Sequence, residues 1–270
     1  MMLTLGRRTL LLVYTLIIVV PLAVVLFGSV KTQQEMFEHP FAPTLTPQLD
    51  GYATVLGSGG LGQALFNSTV ITVSSVLATL VIASLAAYAL ARVRGWLGTA
   101  VYALLILGMA VPAQANMIPQ RVLFEVLGLL DSRFGLVLIN VVVTLPVAVF
   151  ILTGFMRSLP GELFEAAAID GAGDLRVFRS VVLPLSLPSL AATAIFLFVM
   201  HWNDLLYPLL FIQSPEKKTL PLALLGFQGE FLTNYPLLFS GVVVASLPLV
   251  VAYVFLQRYF IEGMTAGTGK

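Results

Sequence analysis

Two otherwise apolar stretches of this sequence contain polar side chains, which are the first candidates for chemistry. These residues are Gln114, Asn116, His201, Trp202, Asn203 and Asp204. An amide or carboxylate without a partner in an apolar environment costs several kcal/mol, so hydrogen bonds must hold such groups. The partner is either another part of the protein or a polar solute in a water-filled path, and the sequence leaves both open. In a path, the Trp202 indole would be available to stack on a sugar ring.

Catalysis by this chain has little support in the sequence. His201 and Asp204, one helical turn apart, are the one candidate acid–base pair, and there is no Ser/His/Asp set or H-E-x-x-H run. The ending GTGK resembles part of a phosphate loop, but that motif requires glycine where Met264 stands. With no Cys and two His, ligands for a zinc site are also too few. We therefore expect neither a catalytic site nor a metal or cofactor bound by this chain.

The composition excludes a soluble globular protein. Hydrophobic residues make up 59% of the 270 positions and charged residues only 10%, whereas about 25% of residues are charged in an average soluble domain. The net charge of +1 offers no electrostatic attraction for a polyanion, so no nucleic-acid partner is expected.

Six apolar runs are long enough to cross a bilayer, which requires roughly 20 residues of helix. The runs are 9–30, 65–91, 99–118, 134–156, 187–212 and 237–256. The sequence therefore predicts an all-α membrane protein with six transmembrane helices in a single domain, residues 1–270. A segment at 157–184 and a tail at 257–270 would lie outside the spans.

The distribution of Lys and Arg predicts the orientation, because cytoplasmic loops keep positive charge. With the N-terminus inside, nine of the 14 basic residues lie inside and five outside. The inside set is Arg7, Arg8, Arg92, Arg94, Arg157, Arg176, Arg179, Arg258 and Lys270, and the outside set is Lys31, Arg121, Arg133, Lys217 and Lys218. We therefore expect both termini in the cytoplasm.

Small residues recur at every fourth position of the second span: Ser75, Thr79, Ala83, Ala87 and Ala91. This spacing keeps them on one helix face, where another helix can approach closely. The pattern predicts a packing face within the bundle, with a contact to another subunit as the alternative.

A polar stretch, ELFEAAAIDGAGDLRVFRSVVLPLSLP, interrupts the apolar runs at 162–188. Pro160 can take the first position of a short helix that Gly171 ends, and Asp174 can cap a second helix that Pro184 limits. At about ten residues each, neither helix can span a bilayer.

Isolated helices this short are only marginally stable. Phe164 and the neighbouring alanines are therefore expected to be exposed and to pack against a surface of another molecule. Helices that lie in the lipid interface collect Lys and Arg, whereas Glu162, Glu165, Asp170 and Asp174 make this segment acidic. Docking into a cytoplasmic protein is therefore favoured over the lipid interface.

One motif in this stretch is shared with a known family. It comprises Glu165, Ala166, Ala167, Asp170, Gly171, Ala172, Phe178 and Pro184. The motif resembles the EAA loop of permease subunits in binding-protein-dependent ABC importers. The segments LGLLDSRFGLVL, NSTVITVSSVLATLVIASLAAYALAR and QRYFIEGMTAGTGK resemble the carbohydrate branch, in particular the shorter permease of maltose-type importers. The likeness covers nearly the whole chain and implies the type I permease fold of ABC importers.

The resemblance implies half of a channel that imports a sugar or oligosaccharide and performs no chemistry itself. In such importers the EAA loop is seated in a cytoplasmic ATPase, so the eight residues of the motif would couple this chain to it. The tail resembles a segment that inserts between the ATPase subunits, which implies contacts from Gly263, Thr265, Ala266 and Gly267. ATP and magnesium would be bound by the partner ATPase.

The implied partners are a second, longer permease, a dimer of ATPase subunits and an extracytoplasmic solute-binding protein, assembled in a bacterial inner membrane. The binding protein would dock on the outer loops, and closure of the ATPase dimer would rock the two permeases around a central cavity. The family's sugar site is assigned chiefly to the longer permease, so any sugar contact by this chain stays open.

Two other classes remain as alternatives. A secondary transporter or channel acting alone would also have six spans, but it predicts inverted repeats and ionisable groups for coupling. An intramembrane enzyme would have to use His201 and Asp204. The first span could also be a signal peptide after Arg7 and Arg8, although it is longer than the usual apolar region and no A-x-A site follows it.

Overall fold

The computed structural model describes the backbone of residues 2–57, 60–93, 95–227 and 234–266, and their side chains except at 2–5, 256 and 258–266. Within these ranges the regular structure is helical and contains no strand, which confirms the predicted all-α architecture. Short 3₁₀ turns and a π-helical segment, Phe178–Val182, join some of the helices. The α-helices are α1 (Met2–Gly28), α2 (Gln33–Glu38), α3 (Asp50–Leu56), α4 (Leu61–Arg92), α5 (Trp96–Leu107), α6 (Ala113–Val126), α7 (Arg133–Arg157), α8 (Gly161–Ile169), α9 (Asp174–Val177), α10 (Leu183–Leu185), α11 (Leu187–Trp202), α12 (Leu206–Phe211), α13 (Leu220–Leu224) and α14 (Tyr235–Ala266).

The chain forms two compact units: Met1–Phe66 with Lys218–Pro248, and Asn67–Lys217 with Leu249–Lys270. Polar contacts organise the first unit around the end of α1. The Ser29 hydroxyl lies 2.7 Å from the Tyr52 hydroxyl, and the Ser240 hydroxyl donates to the Ser29 backbone oxygen at 2.9 Å. The buried Lys31 ammonium donates to the His39 backbone oxygen, so the segment after α1 folds back on itself.

The second unit is built around α7, which packs against α5, α11 and α12. Its core includes Leu152 of α7, Leu197 of α11 and the alanines of the small-residue stripe on α4. Ser75, Thr79, Ala83 and Ala87 are each 0% exposed, which confirms the predicted packing face on α4.

Helices of membrane-spanning length and composition occur in both units. Among the described residues they are Gly6–Gly28, Leu61–Arg92, Arg133–Arg157 and Tyr235–Phe255. Two bent pairs, Trp96–Ala110 with Ala113–Val126 and Asp174–Leu185 with Leu187–Trp202, would raise the number from four to six if each pair forms one span.

The third predicted span, 99–118, is not one straight helix. α5 continues as a 3₁₀ turn to Ala110, and α6 begins at Ala113 with a bend of 97° between the two halves. The cause is Pro112, which has no N–H to donate and forces Val111 before it into an extended conformation, with φ −86° and ψ 118°.

The fifth and sixth predicted spans also differ from the observed helices. In the fifth, 187–212, α11 ends at Trp202, and Asp204 accepts hydrogen bonds from the N–H groups of Leu206 and Tyr207 at the start of α12. In the sixth, α14 continues past the predicted end at 256 to Ala266, and neither glycine nor proline interrupts it between Leu249 and Glu262.

Asp131 connects the start of α7 to the loop after α12. Its carboxylate accepts hydrogen bonds from the N–H groups of Gln213 and Ser214 and from the Ser214 hydroxyl, and the Lys217 ammonium lies 2.8 Å away. The hydrogen bond from Lys217 has the largest effect on the pKa of the Asp131 carboxyl, followed by those from Ser214. Together these bonds favour the charged form and hold that pKa well below its usual range.

We expect the Asp131–Lys217 pair to stabilise the fold less in acid. A lowered pKa means that its contribution is complete above the unfolded-state pKa of about 3.9 and declines as the pH falls below that value. Asp131→Asn should therefore lower the unfolding temperature less at pH 3 than at pH 7. Even at pH 7 the decrease should be only a few degrees, because water screens this partly exposed pair. Asparagine also tolerates the left-handed backbone of position 131, where φ is +49°.

Thermal unfolding of the purified chain in detergent at the two pH values measures this difference. Glu216→Gln is the control, because Glu216 is exposed and has no ion pair with any described residue. An equal loss of stability at both pH values for Asp131→Asn would contradict the prediction.

Candidate functional site

Residues 157–184, which we call the coupling segment, contain two short helices separated at Gly171. The N–H of Gly171 bonds the oxygen of Ala168 at 3.1 Å, and the N–H of Ala172 bonds the oxygen of Ala167 at 2.9 Å. These bonds form a Schellman motif, in which Gly171 has a left-handed φ of +67° that glycine adopts without strain. The prediction that Gly171 ends the first helix is confirmed.

Both helices of the coupling segment start differently from the prediction. Pro160 is the N-cap of α8 and precedes its first residue, Gly161. Asp174 is the first residue of α9, and Gly173 takes the cap position with an extended backbone and no side-chain bond. Asp174 therefore does not cap the helix and is available for another contact.

Pro184 does not end the second helix. In an α-helix its ring would clash with the backbone oxygen four residues earlier, and the chain avoids this through the wider π-helical segment before it. The N–H of Leu183 bonds the oxygen of Phe178 there, and α10 carries the chain on to Leu185.

One side of the coupling segment packs into the core of the second unit. Ala167, Phe178 and Val182 are at most 9% exposed and join a cluster that includes Ala87 of α4. Phe164 is partly buried against the same cluster, so the expectation that it is exposed was wrong. The surface against which Phe164 packs belongs to this chain, because α8 lies against the end of α4.

Arg92, the last residue of α4, contacts both helices of the coupling segment. Its guanidinium lies 5.3 Å from the ring centroid of Phe164 on α8 and 3.5 Å from the carboxylate of Asp174 on α9. It also donates to the hydroxyl of Tyr88 at 3.1 Å, and that hydroxyl donates to the Asp174 backbone oxygen at 3.2 Å. Arg92 therefore connects both short helices to the end of α4.

The other side of the coupling segment is exposed and combines apolar and acidic residues. Ile169 is 87% exposed and Leu175 is 65% exposed. The exposed residues of the predicted motif are Glu165, Ala166, Asp170, Gly171 and Pro184. We call the surface formed by Glu165, Ala166, Ile169, Asp170, Gly171 and Leu175 the outward surface.

A cavity of about 420 Å³ lies beside α8 and is lined by Arg92, Arg157 and Glu165, among others. Arg157 donates to the backbone oxygen of Leu90 at 3.2 Å, and its guanidinium lies 4.6 Å from the ring centroid of Tyr102. Arg157 thus joins the end of α7 to the end of α4 and to α5.

Gly171→Ala is expected to destabilise the chain by about 1 kcal/mol, because a side chain in the left-handed conformation costs about 1–2 kcal/mol. Gly161→Ala is the matched control, since Gly161 has an ordinary helical φ and a Cβ added at either position meets no atom within 4 Å. The control should be neutral or slightly stabilising. Thermal unfolding of both variants measures the difference, and equal effects would argue against a role for the backbone conformation at 171.

A second group of predicted residues lies around a cavity of about 160 Å³, which we call the polar cavity. Its polar lining residues are Gln114 of α6, Asn140 and Thr144 of α7, His201 of α11, Asp204 in the break before α12, and Tyr207 of α12. The cavity therefore adjoins the bend between α5 and α6 and the break between α11 and α12.

Hydrogen bonds across α4, α7 and α11 hold the buried part of this lining. Asn140 donates to the Ser75 hydroxyl at 3.2 Å, and the Thr144 hydroxyl donates to the Asn140 backbone oxygen at 2.7 Å. The same hydroxyl lies 3.4 Å from Nε2 of His201. Asn140, Thr144 and His201 are at most 8% exposed, so these groups are held in place by the fold.

Three predicted path residues do not line the polar cavity. Asn116 is exposed on α6, and Asn203 is exposed and donates to the Val199 backbone oxygen. Trp202 is 3% exposed and stacks on Phe198 at 5.5 Å between ring centroids, so its indole is not available to stack on a sugar.

His201 and Asp204 do not form a hydrogen-bonded pair. The described contacts of His201 are with Thr144, and those of Asp204 are with backbone N–H groups of α12. No cluster of three metal-ligating side chains occurs among the described residues either. Of the predicted tail residues, Gly267 lies outside the described residues, and Gly263, Thr265 and Ala266 lie in α14 where only the backbone is described.

Comparison with known families identifies the family of this chain. The family described as "Binding-protein-dependent transport system inner membrane component" matches residues 79–266, a range that includes both sites. The chain belongs to this family. It is a multi-pass inner-membrane permease, and its family is one of transport components.

Curated relatives match the permease over most of its length. The multiple sugar-binding transport system permease protein MsmG of Streptococcus mutans is 36% identical over 268 residues, 98% of this chain and 96% of that protein. The melibiose/raffinose/stachyose import permease protein MelC of Bacillus subtilis is 39% identical over 211 residues, 78% of this chain and 76% of that protein.

The fold is also shared with a solved structure. A chain of a bacterial ABC transporter involved in the import of the acidic polysaccharide alginate superposes with a TM-score of 0.86, covering 96% of both chains. At 22% identity this likeness establishes the fold alone, and that fold is the one predicted for an ABC importer permease.

Several residues of both sites were missed by the sequence interpretation. Asn140 and Thr144 lie in the fourth span and could have been found by the same search for polar residues in apolar runs that identified His201. Arg92 carries no local signal, because its importance depends on which helices the fold brings to it.

Proposed function

We propose that this permease forms half of the translocation path of an ATP-driven importer for a sugar or oligosaccharide, and that its coupling segment receives the movement of a cytoplasmic ATPase. The observation that carries the proposal is the two-sided coupling segment. Its inner side is joined to α4 through Arg92 and the core, while its outward surface exposes two large apolar side chains beside acidic residues. Such a surface suits a protein partner better than anionic lipid.

The residues proposed to couple to the ATPase fall into two roles. Glu165, Ala166, Asp170, Gly171 and Pro184 are exposed and are proposed to contact it or to shape its docking surface. Ala167, Ala172 and Phe178 pack toward the core and are proposed to transmit the displacement. The tail residues Gly263, Thr265, Ala266 and Gly267 remain proposed ATPase contacts.

The proposed complex contains a second, longer permease, two ATPase subunits that bind ATP and magnesium, and an extracytoplasmic solute-binding protein. The family name supports the binding protein, and the sugar-related names of MsmG and MelC support the substrate class. Gln114, His201 and Asp204 are proposed to lie on the path, because they line the polar cavity. Both termini are proposed to be cytoplasmic.

The proposal is tested by isolating the tagged permease from its native membrane and reconstituting the complex that accompanies it. We expect a second permease and an ATPase to co-purify, and the proteoliposomes to take up labelled raffinose or maltotriose only with ATP and the binding protein. A control complex has the nucleotide site of the ATPase inactivated. Uptake that persists without ATP, or isolation of the permease without an ATPase, would instead favour a transporter that acts alone.

A further inference from the structure

We propose that the polar cavity is a subsite at which this permease itself hydrogen-bonds the hydroxyl groups of a neutral saccharide. The inference rests on the proposed function and adds that the saccharide is neutral and that this permease contacts it directly. The cavity has a volume of about 160 Å³, which gives room for a few water molecules or for a group of similar size. One saccharide ring, and not a whole oligosaccharide, is the group of suitable size.

The lining of the cavity retains hydrogen-bonding capacity that the protein does not use. Oδ1 of Asp204 accepts two backbone N–H groups, while its Oδ2 has no partner among the described residues. The Asn140 amide donates to Ser75, but its Oδ1 accepts no bond from the part of the chain that is described. The Gln114 amide likewise makes no described hydrogen bond. Carboxylate and amide groups that remain open in this way suit hydroxyl groups, which donate and accept.

Part of this lining is fixed before any ligand arrives. Asn140 and His201 are at most 8% exposed and are held through Ser75 and Thr144. Tyr207 is held by its hydrogen bond to Gln120 at 2.9 Å. A site whose side chains are already ordered loses less entropy on binding, which favours a specific contact over a loosely hydrated gap.

The charges of the lining select against acidic saccharides. No Lys or Arg is among the residues that line the cavity, and Asp204 contributes a carboxyl group. The carboxylate of a uronate would therefore lie in an apolar part of the protein without a cation to pair with it, which is costly. The cavity thus fits a neutral saccharide.

The test uses single cysteines, since this permease has none of its own. Gln114→Cys places a thiol at the cavity, and Asn116→Cys places a matched thiol on the same helix outside it. Each variant is assembled into the whole transporter, trapped with vanadate in the presence of the binding protein, and treated with a hydrophilic maleimide. The added probes are raffinose, maltotriose and trigalacturonate, the last being the acidic saccharide.

A neutral saccharide that the complex transports should slow alkylation of the thiol at position 114. At about ten times its Kd the expected slowing is about tenfold, because protection follows the occupied fraction of the site. Alkylation at 116 should be unchanged, and trigalacturonate should protect neither thiol. Equal protection at both positions, protection by trigalacturonate, or transport of a neutral saccharide without protection at 114 would overturn the inference. If uptake by the wild-type complex does not depend on ATP, the proposed function fails, and this inference fails with it; if the complex imports trigalacturonate but neither neutral saccharide, only this inference fails.

A second measurement distinguishes the loss of a saccharide contact from a loss of stability of the permease. Gln114→Ala should reduce transport of the neutral saccharide by about tenfold, the factor that one hydrogen bond of ordinary strength is worth, without a change in the unfolding temperature. Asn116→Ala should leave transport unchanged. A loss of transport in both variants, or in neither, would contradict a specific contact at 114.

Discussion

Ile169→Asp is expected to separate the permease from its ATPase while leaving the permease itself folded. The side chain is 87% exposed in the isolated chain, so the substitution removes no internal packing. In the proposed complex Ile169 would be buried against the ATPase, where an apolar side chain of this size contributes about 2–3 kcal/mol. An aspartate there would also be desolvated without a partner. Together these effects should weaken the association by at least about a hundredfold.

Co-purification of the ATPase with the tagged permease measures this loss, and the unfolding temperature of the permease checks its fold. Ser180→Asp is the control, because it adds the same charge at an exposed position of the coupling segment that is not part of the outward surface. Ile169→Ala should give an intermediate affinity. Full recovery of the ATPase with Ile169→Asp would show that the outward surface is not the docking surface.

The second large effect is expected at Arg92, where the complex should assemble but transport poorly. Arg92→Ala removes the ion pair to Asp174, the cation–π contact with Phe164 and the hydrogen bond to Tyr88 in one step. The outward surface would remain, so the ATPase should still bind. Transport should fall because displacement of the short helices would no longer act on α4 through this side chain. The expected decrease is tenfold or more, which is about the effect of losing one or two such contacts.

The readouts for Arg92→Ala are ATPase recovery, ATP hydrolysis and uptake in the same preparation. Arg176→Ala is the matched control, since Arg176 lies in the coupling segment, is exposed and makes no described hydrogen bond or ion pair. Arg92→Lys should recover part of the transport, because lysine can restore the ion pair to Asp174 but not the planar contact with Phe164. Unchanged uptake per ATP hydrolysed in Arg92→Ala would show that the movement takes another route.

Features decided by neighbouring residues could be predicted from the sequence. Gly171 ends α8 because its left-handed backbone is a local requirement, and the stripe from Ser75 to Ala87 faces the core because helical spacing aligns it. The family resemblance rests on the same kind of local pattern. These parts of the fold could be predicted without knowledge of the tertiary structure.

Features decided by distant contacts could not be predicted in this way. Phe164 appeared exposed because its partners, Arg92 and the core cluster, come from a different helix. The third span was predicted as one continuous helix, 99–118, and the bend of 97° between its halves was not predicted. The polar cavity has the same origin, since His201, Asn140 and Gln114 come from three helices that only the fold brings together.

The π-helical segment Phe178–Val182 lets the coupling segment continue through Pro184 without a break. A π turn holds about one residue more than the α turn that it replaces, so the helices on either side of it keep their phase. Deletion of a single residue in this segment, such as Ser180, would leave an α turn in which the Pro184 ring meets the backbone oxygen four residues earlier. The extra residue is therefore what makes this proline compatible with a continuous helix, and a one-residue deletion should bend the coupling segment without altering any residue of the outward surface.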